Sequence, residues 1–415
     1  VERASGERWL LTAIGGRMER ASGERWLLTA IGAIATITST AFLVIRPLPL
    51  PDWVPGAGSV KGGARGTGDS LRPVPPLPFS VTPGDGQLTV SWPSKAGTDP
   101  YRADAVVEED APSVYPCRKV SRPTDATSTC VVSGLRNGAS YLVSVHPADG
   151  ADASVPTRTA RAVPRPALLA SPSVVAWLDA SDYATIKPDH KGEVRIGSKV
   201  LELRDKSSHH YDAQQPEAEL EPILGQLGKL PALLLDGNDV MFMDGAGFPT
   251  GASPSTVLVV ASQDDRSGDV TCFHNLLSWG TNRTREARIL HKGCLTSLAF
   301  AETFDTHNEQ EPTQRWPIGQ AALVTAAFDG TGTSLWLNRT RSYRWQSPLS
   351  ERMNTANTGG VSIGGAMWDM RAGWVGRIGE VIVFDRLLTP GERKSIETYL
   401  GAKWQLLLDP RDDPA

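Results

Sequence analysis

The stretch GEVIVFDR, Gly379 to Arg386, sets one carboxylate, Glu380, among Val381, Ile382, Val383 and Phe384. A glutamate in such a place can serve as general acid or nucleophile, but a retaining glycosidase needs two carboxyl groups about 5 Å apart. Alternation along a strand puts Ile378, Ile382 and Phe384 on the face of Glu380, with Val381 and Val383 on the other. No second carboxylate stands at an alternate position, and both faces are apolar, as in a covered strand. The residue types point to a wall residue, hydrogen-bonded or paired with an arginine.

Other chemistry-bearing groups divide in the same way. Gly360-Val361-Ser362-Ile363-Gly364 spells GxSxG, but a nucleophile elbow needs a strand-turn-helix, and this stretch lies in an all-β run. His209 and His210 are adjacent, so on a strand they would face opposite ways, and no partners stand at metal-binding spacing. HExxH, P-loop and Rossmann glycine patterns are absent. Asp236, Asn238 and Asp239 are closely spaced oxygen donors in a turn, which suits a calcium ion and suits a tight hairpin turn equally.

Aromatic residues offer binding chemistry instead. Trp279 in SWGTNR, Trp316 in QRWPIG, Trp345 in SYRWQ and Trp368 in AMWDM lie in loop-like sequence, where exposed rings can stack on sugar faces. Tyr343 and Trp345, flanked by Arg341 and Arg344, make the strongest such pair. Trp336 and Trp374 sit in strand-like runs and read as core.

These groups need elements to hold them. Thr389-Pro390-Gly391-Glu392 is a capping box with proline at the first helical position, so a helix starts there. Ile396, Tyr399, Leu400 and Trp404 then form one apolar stripe that must pack on a sheet, which makes Trp404 core. Upstream, KLPALLLDGNDVMF, STVLVVASQ and ALVTAAFDGTGTSLWLNRT are strand-and-turn units that one two-sheet sandwich would accommodate.

The N-terminal part is organised differently. ERASGERWLLTAIG occurs at Glu2–Gly15 and again at Glu19–Gly32, and only the second copy continues into the apolar run Trp26 to Ile45. Twenty residues at about 1.5 Å each match a bilayer core of about 30 Å. The reading is a cytoplasmic tail (1–25), a single-pass anchor (26–45) and a Pro/Gly-rich stalk (46–78), with translation starting at Met18. Arg8, Arg17, Arg20 and Arg25 precede the span, which keeps the N-terminus inside and the folded regions outside the cell membrane. A cleaved signal peptide would need a small-x-small site after the run, where Arg46-Pro-Leu-Pro-Leu-Pro stands instead. With 42 Lys plus Arg against 46 Asp plus Glu, the chain of 415 residues has no field to draw nucleic acid.

Two resemblances follow from these motifs. GQLTVSW and STCVVSGLRNGASYLVSVHP, closed by PTRTARAVP, make residues 79–166 similar to a fibronectin type III module. Trp92 matches that family's core tryptophan, and Leu135 and Tyr141 match its tyrosine corner, where the hydroxyl bonds nearby backbone. VVAWLDASD, LRDKSSHHYDAQ, PALLLDGND, FDGTGTSLWLN and GRIGEVIVFDRLLTPGERKSIETYLGAKWQL make residues 167–407 resemble a bacterial concanavalin A-like, laminin G-type jelly roll, followed by a short tail (408–415). That resemblance implies an all-β chain with one C-terminal helix, a fold in which calcium is common, and a glycan or surface-protein partner. Glucanases sharing the fold carry ExDxE-like spacings that no strand here shows. Noncatalytic glycan binding is the leading expectation, with a polysaccharide hydrolase or a protein-binding adhesin as alternatives.

The four cysteines fall two to each region, Cys117 with Cys130 and Cys272 with Cys294. In an exported chain that suggests disulfides, and free buried thiols are the alternative. Closing Cys117 to Cys130 across a hairpin would stabilise by about 3 kcal/mol in the loop-entropy view.

Overall fold

The computed structural model describes residues 79–93, 101–108, 113–119, 127–147, 158–189, 192–264, 274–281, 286–292, 298–299, 316–346, 353–356, 360–365 and 373–411. The anchor segment 26–45 and the stalk lie outside the described residues. Among the described residues no helix is long and apolar enough to cross a membrane.

The first sandwich is built from β1 (Ser80–Gly84), β2 (Gln87–Pro93), β3 (Tyr101–Val107), β4 (Val114–Pro116), β5 (Arg118–Lys119), β6 (Thr127–Ser133), β7 (Tyr141–Pro147) and β8 (Arg158–Ala162). Its sheets run β1-β2-β6-β5 and β4-β3-β7-β8. Strict alternation in β2 buries Leu88, Val90 and Trp92 in one core with Val132 of the neighbouring β6 and Val143 and Val145 of β7 in the other sheet. Tyr141 is buried and its hydroxyl accepts the Arg136 N–H at 2.9 Å, the corner expected from LRNGASY. Leu135 is buried beside it. The Cys117–Cys130 disulfide is present, but the two cysteines do not flank a simple hairpin. Cys117 lies where the chain passes from β4 in one sheet to β5 in the other.

The second sandwich comprises β9 (Val174–Asp179), β10 (Ile186–Pro188), β11 (Val200–Leu203), β12 (Ala213–Gln214), β13 (Ile223–Leu227), β14 (Leu230–Asp236), β15 (Met241–Asp244) and β16 (Ser255–Gln263). It continues through β17 (His274–Gly280), β18 (Ala287–Lys292), β19 (Leu298–Ala299), β20 (Ala322–Phe328), β21 (Gly332–Leu337), β22 (Thr340–Gln346), β23 (Gly360–Ile363), β24 (Val375–Phe384) and α1 (Pro390–Lys403). One sheet runs β13-β14-β24-β16-β20-β21-β22, with β9 also on β24, and the other β10-β11-β12-β15-β23-β17-β18-β19. Their facing sides share a core that includes Val257, Val259, Leu277, Val361 and Val383.

A second core lies behind the first sheet, where Ile396, Tyr399 and Leu400 of α1, with Trp404 at its C-cap, cover Leu258, Val260, Ile382 and Phe384. The helix starts as its capping box requires: Thr389 accepts from the Glu392 N–H, and Glu392 accepts from the Thr389 N–H. Arg386 grips both Glu392 oxygens, at 2.7 and 2.9 Å. The alternation expected for β24 fails at one place. Ile378 faces the inter-sheet core while Glu380, Ile382 and Phe384 face the helix, because β16 pairs Val260 with Glu380 and Ala261 with Ile378. The bulge leaves Gly379 as the extra residue, and Trp404 packs so tightly over it that a Cβ there would stand 2.6 Å from the indole.

The two sandwiches meet through short loops. Asp85 accepts from the Ala167 N–H at 3.3 Å, and the Arg165 guanidinium lies 4.9 Å from the Trp177 ring. Gly138, at φ +85°, packs where any Cβ would overlap the Tyr399 carbonyl.

Candidate functional site

Glu380 is almost fully buried beneath α1. Its Oε1 accepts from Trp177 Nε1 at 2.8 Å and the Tyr399 hydroxyl at 3.3 Å. Its Oε2 accepts from Lys403 Nζ at 2.7 Å and Trp404 Nε1 at 2.8 Å. Directly across the ladder stands a carboxylate that spacing along one strand cannot reveal, Asp179 of β9. Asp179 accepts from Lys403 at 2.7 Å, Lys206 at 2.9 Å and Ser181 Oγ at 2.6 Å. Burial opposes its ionisation, but the two ammonium groups and the Ser181 hydroxyl hold its carboxyl well below the usual range. Lys403 is raised for the complementary reason: burial works against its charge, and the two carboxylates outweigh it. Burial, then the charges of Glu380 and Asp179, push the Tyr399 hydroxyl well up.

Two carboxylates thus converge, as hydrolysis would require, yet a lysine occupies the space between them and every oxygen has donors. The group is a buried, fully hydrogen-bonded ion cluster, with lysine where the sequence suggests an arginine partner. Ser362 of the GxSxG letters is likewise a mid-strand residue, its hydroxyl 2.6 Å from Ser278 Oγ and 2.7 Å from the Gly365 carbonyl.

The sugar-stacking expectation fails for two tryptophans. Trp279 and Trp316 are each 2 % exposed, inside the inter-sheet core. Trp279 stacks edge-on to Phe248 and donates to the Pro249 carbonyl, and Trp316 meets Trp374 edge-on at 5.3 Å. Gly280 ends β17 beside Trp279, and Pro317 follows Trp316 in the turn that precedes β20, so both rings sit next to turn formers and still reach the core. Tyr343 and Trp345 belong to β22 rather than a loop, at register positions opposite Leu335 and Thr333. Their side chains, Trp368, Cys272 and Cys294 lie outside the described residues.

The Asp236–Asp239 turn is a corner between sheets, since β14 and β15 belong to different ones. Asp236 Oδ1 accepts the Asn238 N–H at 2.8 Å and Asp239 Oδ2 accepts the Asp236 N–H at 2.9 Å, so both carboxylates brace their own turn. Burial, and secondarily the Asp236 charge, push Asp239 up to about 6. Among the described residues no group of three His, Cys, Asp or Glu is arranged to hold a metal.

A different surface combines the groups that bind sugars. The outer face of the first sheet is apolar and covered by α1, whereas the outer face of the second carries a polar row. Register links Lys187 to Glu202, Glu202 to Gln214, Gln214 to Phe242, Phe242 to Ser362 and Ser362 to Ser278. At one end the two serines are buried under the Gly365 carbonyl. At the other, Lys187, Gln214 and Asp244 are exposed and Phe242 is half-buried. There Glu202 accepts from Lys187 at 3.2 Å, Arg204 at 3.3 Å and Gln214 at 3.4 Å, which fixes a planar carboxylate two strands away from the Phe242 position, with Gln214 between them. Six strands drawn from across nearly two hundred residues build this row, so no local motif announces it.

No family model matches the chain, and no curated protein does. Some solved structures are similar to it at low identity and low TM-score. One is domain 4 of AbnA, a GH43 extracellular arabinanase from Geobacillus stearothermophilus in complex with arabinotriose, at 14 % identity and TM-score 0.28, covering 55 % of this chain and 98 % of that one. Another is a carbohydrate-binding protein from Bacteroides ovatus, so described provisionally, at 11 % identity and TM-score 0.31, covering 79 % and 81 %. A third is Trypanosoma rangeli sialidase, at 10 % identity and TM-score 0.37, covering 80 % of this chain; the chain spans about half that enzyme's length, 54 %.

Proposed function

We propose that this chain is a noncatalytic, lectin-like protein that binds an extracellular or cell-wall glycan. Its N-terminal apolar segment would hold it at the membrane, and the first sandwich, of fibronectin type III kind, would space the larger, concanavalin A-like one from that surface. One observation carries the reading: the exposed end of the second sheet sets a half-buried aromatic, Phe242, opposite the exposed amide of Gln214, in a row that continues to the anchored Glu202 carboxylate and the Lys187 ammonium group. Sugars are bound by that combination, in which a ring faces C–H groups and planar polar side chains meet hydroxyls.

A glycan array probed with residues 79–415, with and without calcium, tests the reading. Retention of a polysaccharide by the wild type and its loss in Phe242→Ala is the expected result. Release of reducing sugar by the wild type would make the chain a hydrolase instead. Retention only by protein-coated surfaces would make it an adhesin. Tyr343 and Trp345 remain proposed contacts of the edge strand, tested on the same array by the double change to alanine.

A further inference from the structure

Residues 163–166 alone join β8 of the first sandwich to the 3-10 turn Ala167–Ala170 that opens the second. Relative motion is the default for two domains in one chain unless their junction prevents it. Here the junction residues are not free to turn. Pro164 and Pro166 are buried, and each fixes its own φ. The first sandwich holds the backbone between them: the Pro164 carbonyl accepts the Gly138 N–H at 2.9 Å, and the Arg165 N–H donates to the Gly84 carbonyl at 3.1 Å. One residue further, the Ala167 N–H donates to Asp85, whose other oxygen accepts from the Asn137 amide beside Gly138 at 2.7 Å. The second sandwich holds the side chains: Val163 and Leu168 pack on the core that α1 covers, and the Arg165 guanidinium lies over Trp177.

A second contact lies away from the junction. The turn carrying Gly138 sits on the last turn of α1, where a Cβ on that glycine would overlap the Tyr399 carbonyl and stand 2.9 Å from Ala402 Cβ and 3.0 Å from the Lys403 nitrogen. Backbone rests on backbone there, with no room for a side chain. Helix ends fray where nothing covers them, because their last carbonyls lack partners within the helix. This end bears Lys403, the cation that Asp179 and Glu380 share, so the first sandwich covers the turn on which the buried ion cluster depends.

We infer that the two sandwiches move as one rigid body. The Asn137–Gly138 turn of the first is a docking surface, its partner is the last turn of α1, and the first sandwich holds the larger one at a fixed angle instead of letting it swing on a linker. This goes beyond glycan binding and does not rest on it.

Hydrogen exchange of the full chain, read by mass spectrometry on peptic peptides, tests the inference with two substitutions. Gly134 and Gly138 share a positive φ, +78° and +85°, which asparagine tolerates, but a Cβ at 134 meets nothing within 4 Å. Gly134→Asn therefore controls for backbone strain, and Gly138→Asn drives a wedge into the contact. Peptides covering 163–168 and 399–406 should be protected in the wild type. Both should exchange about tenfold faster in Gly138→Asn, while β2 and β7 keep their protection, and neither should change in Gly134→Asn. A wild-type junction that exchanges at the rate of a free peptide overturns the inference. So does a last helical turn that Gly138→Asn leaves unmoved, or an equal response in Gly134→Asn. If Gly138→Asn strips protection from β7 as well, Asp85→Ala, which alters nothing in the larger sandwich, is scored in its place: faster exchange at 399–406 upholds the docking and unchanged exchange refutes it.

Discussion

The larger sandwich presents two outer faces that differ in what covers them. Behind the sheet containing β24, a helix lies on apolar residues and encloses two carboxylates with two lysines. On the other sheet, the same kinds of side chain, carboxylate, ammonium and aromatic ring, stand in a row with one end open. The chemistry of the residue types is therefore no guide to role by itself. Coverage decides: ionic groups with a full set of partners and no access form structure, and those left at a surface are available to a ligand.

The largest way to break that contrast is Glu380→Ala. It leaves Lys403 with one buried carboxylate and orphans two indole donors, so unfolding in urea should show a loss of about 3 to 5 kcal/mol. A normal melting temperature would deny the covered face its structural role. Next comes pH, read at the corner between the sheets. Asp239 titrates near 6 when folded and near its ordinary 3.8 when unfolded. Between those values the folded chain holds a proton that the unfolded chain has released, so stability falls as pH rises through the window, by at most about 3 kcal/mol. Asp239→Asn should flatten that slope.

Gly379→Ala drives a methyl into Trp404 and should cost about 1 to 3 kcal/mol, measured by denaturation. Thr389→Ala removes the cap of α1 and should cost about 1 kcal/mol by the same measurement. The smallest stability effect sharpens the comparison from the other side. Phe242→Ala should move the stability little while weakening retention on a glycan column by about 1 kcal/mol. If it unfolds the domain instead, the open face is a core in disguise.

Much of the covered face was legible in advance because its signals are local. The capping box, the proline at the first helical position and the stripe from Ile396 to Trp404 all lie within sixteen residues, Thr389 to Trp404. The same holds for Tyr141, whose hydroxyl meets a backbone group five residues away. What could not be read was set by register between distant strands. Asp179 lies opposite Glu380 across two hundred residues, and only strand pairing unites Lys187, Glu202, Gln214 and Phe242. The bulge at Gly379 shifts Ile378 to the other face without changing any hydrophobic letter. Trp279 and Trp316 misled because their neighbours were turn formers, while their depth depended on packing contributed from elsewhere.

Lys403 carries one more consequence, for the order in which the chain can mature. β9 opens the larger sandwich and pairs with β24, near its end, and the cation that both strands share comes nineteen residues later still, at the last position of α1. As the polypeptide leaves the ribosome, Asp179 and then Glu380 emerge with no shared countercharge until residue 403 has cleared the exit tunnel. A nascent chain halted before that point would hold both carboxylates without the cation they share, so closure of the domain is expected to follow synthesis of its C-terminal helix.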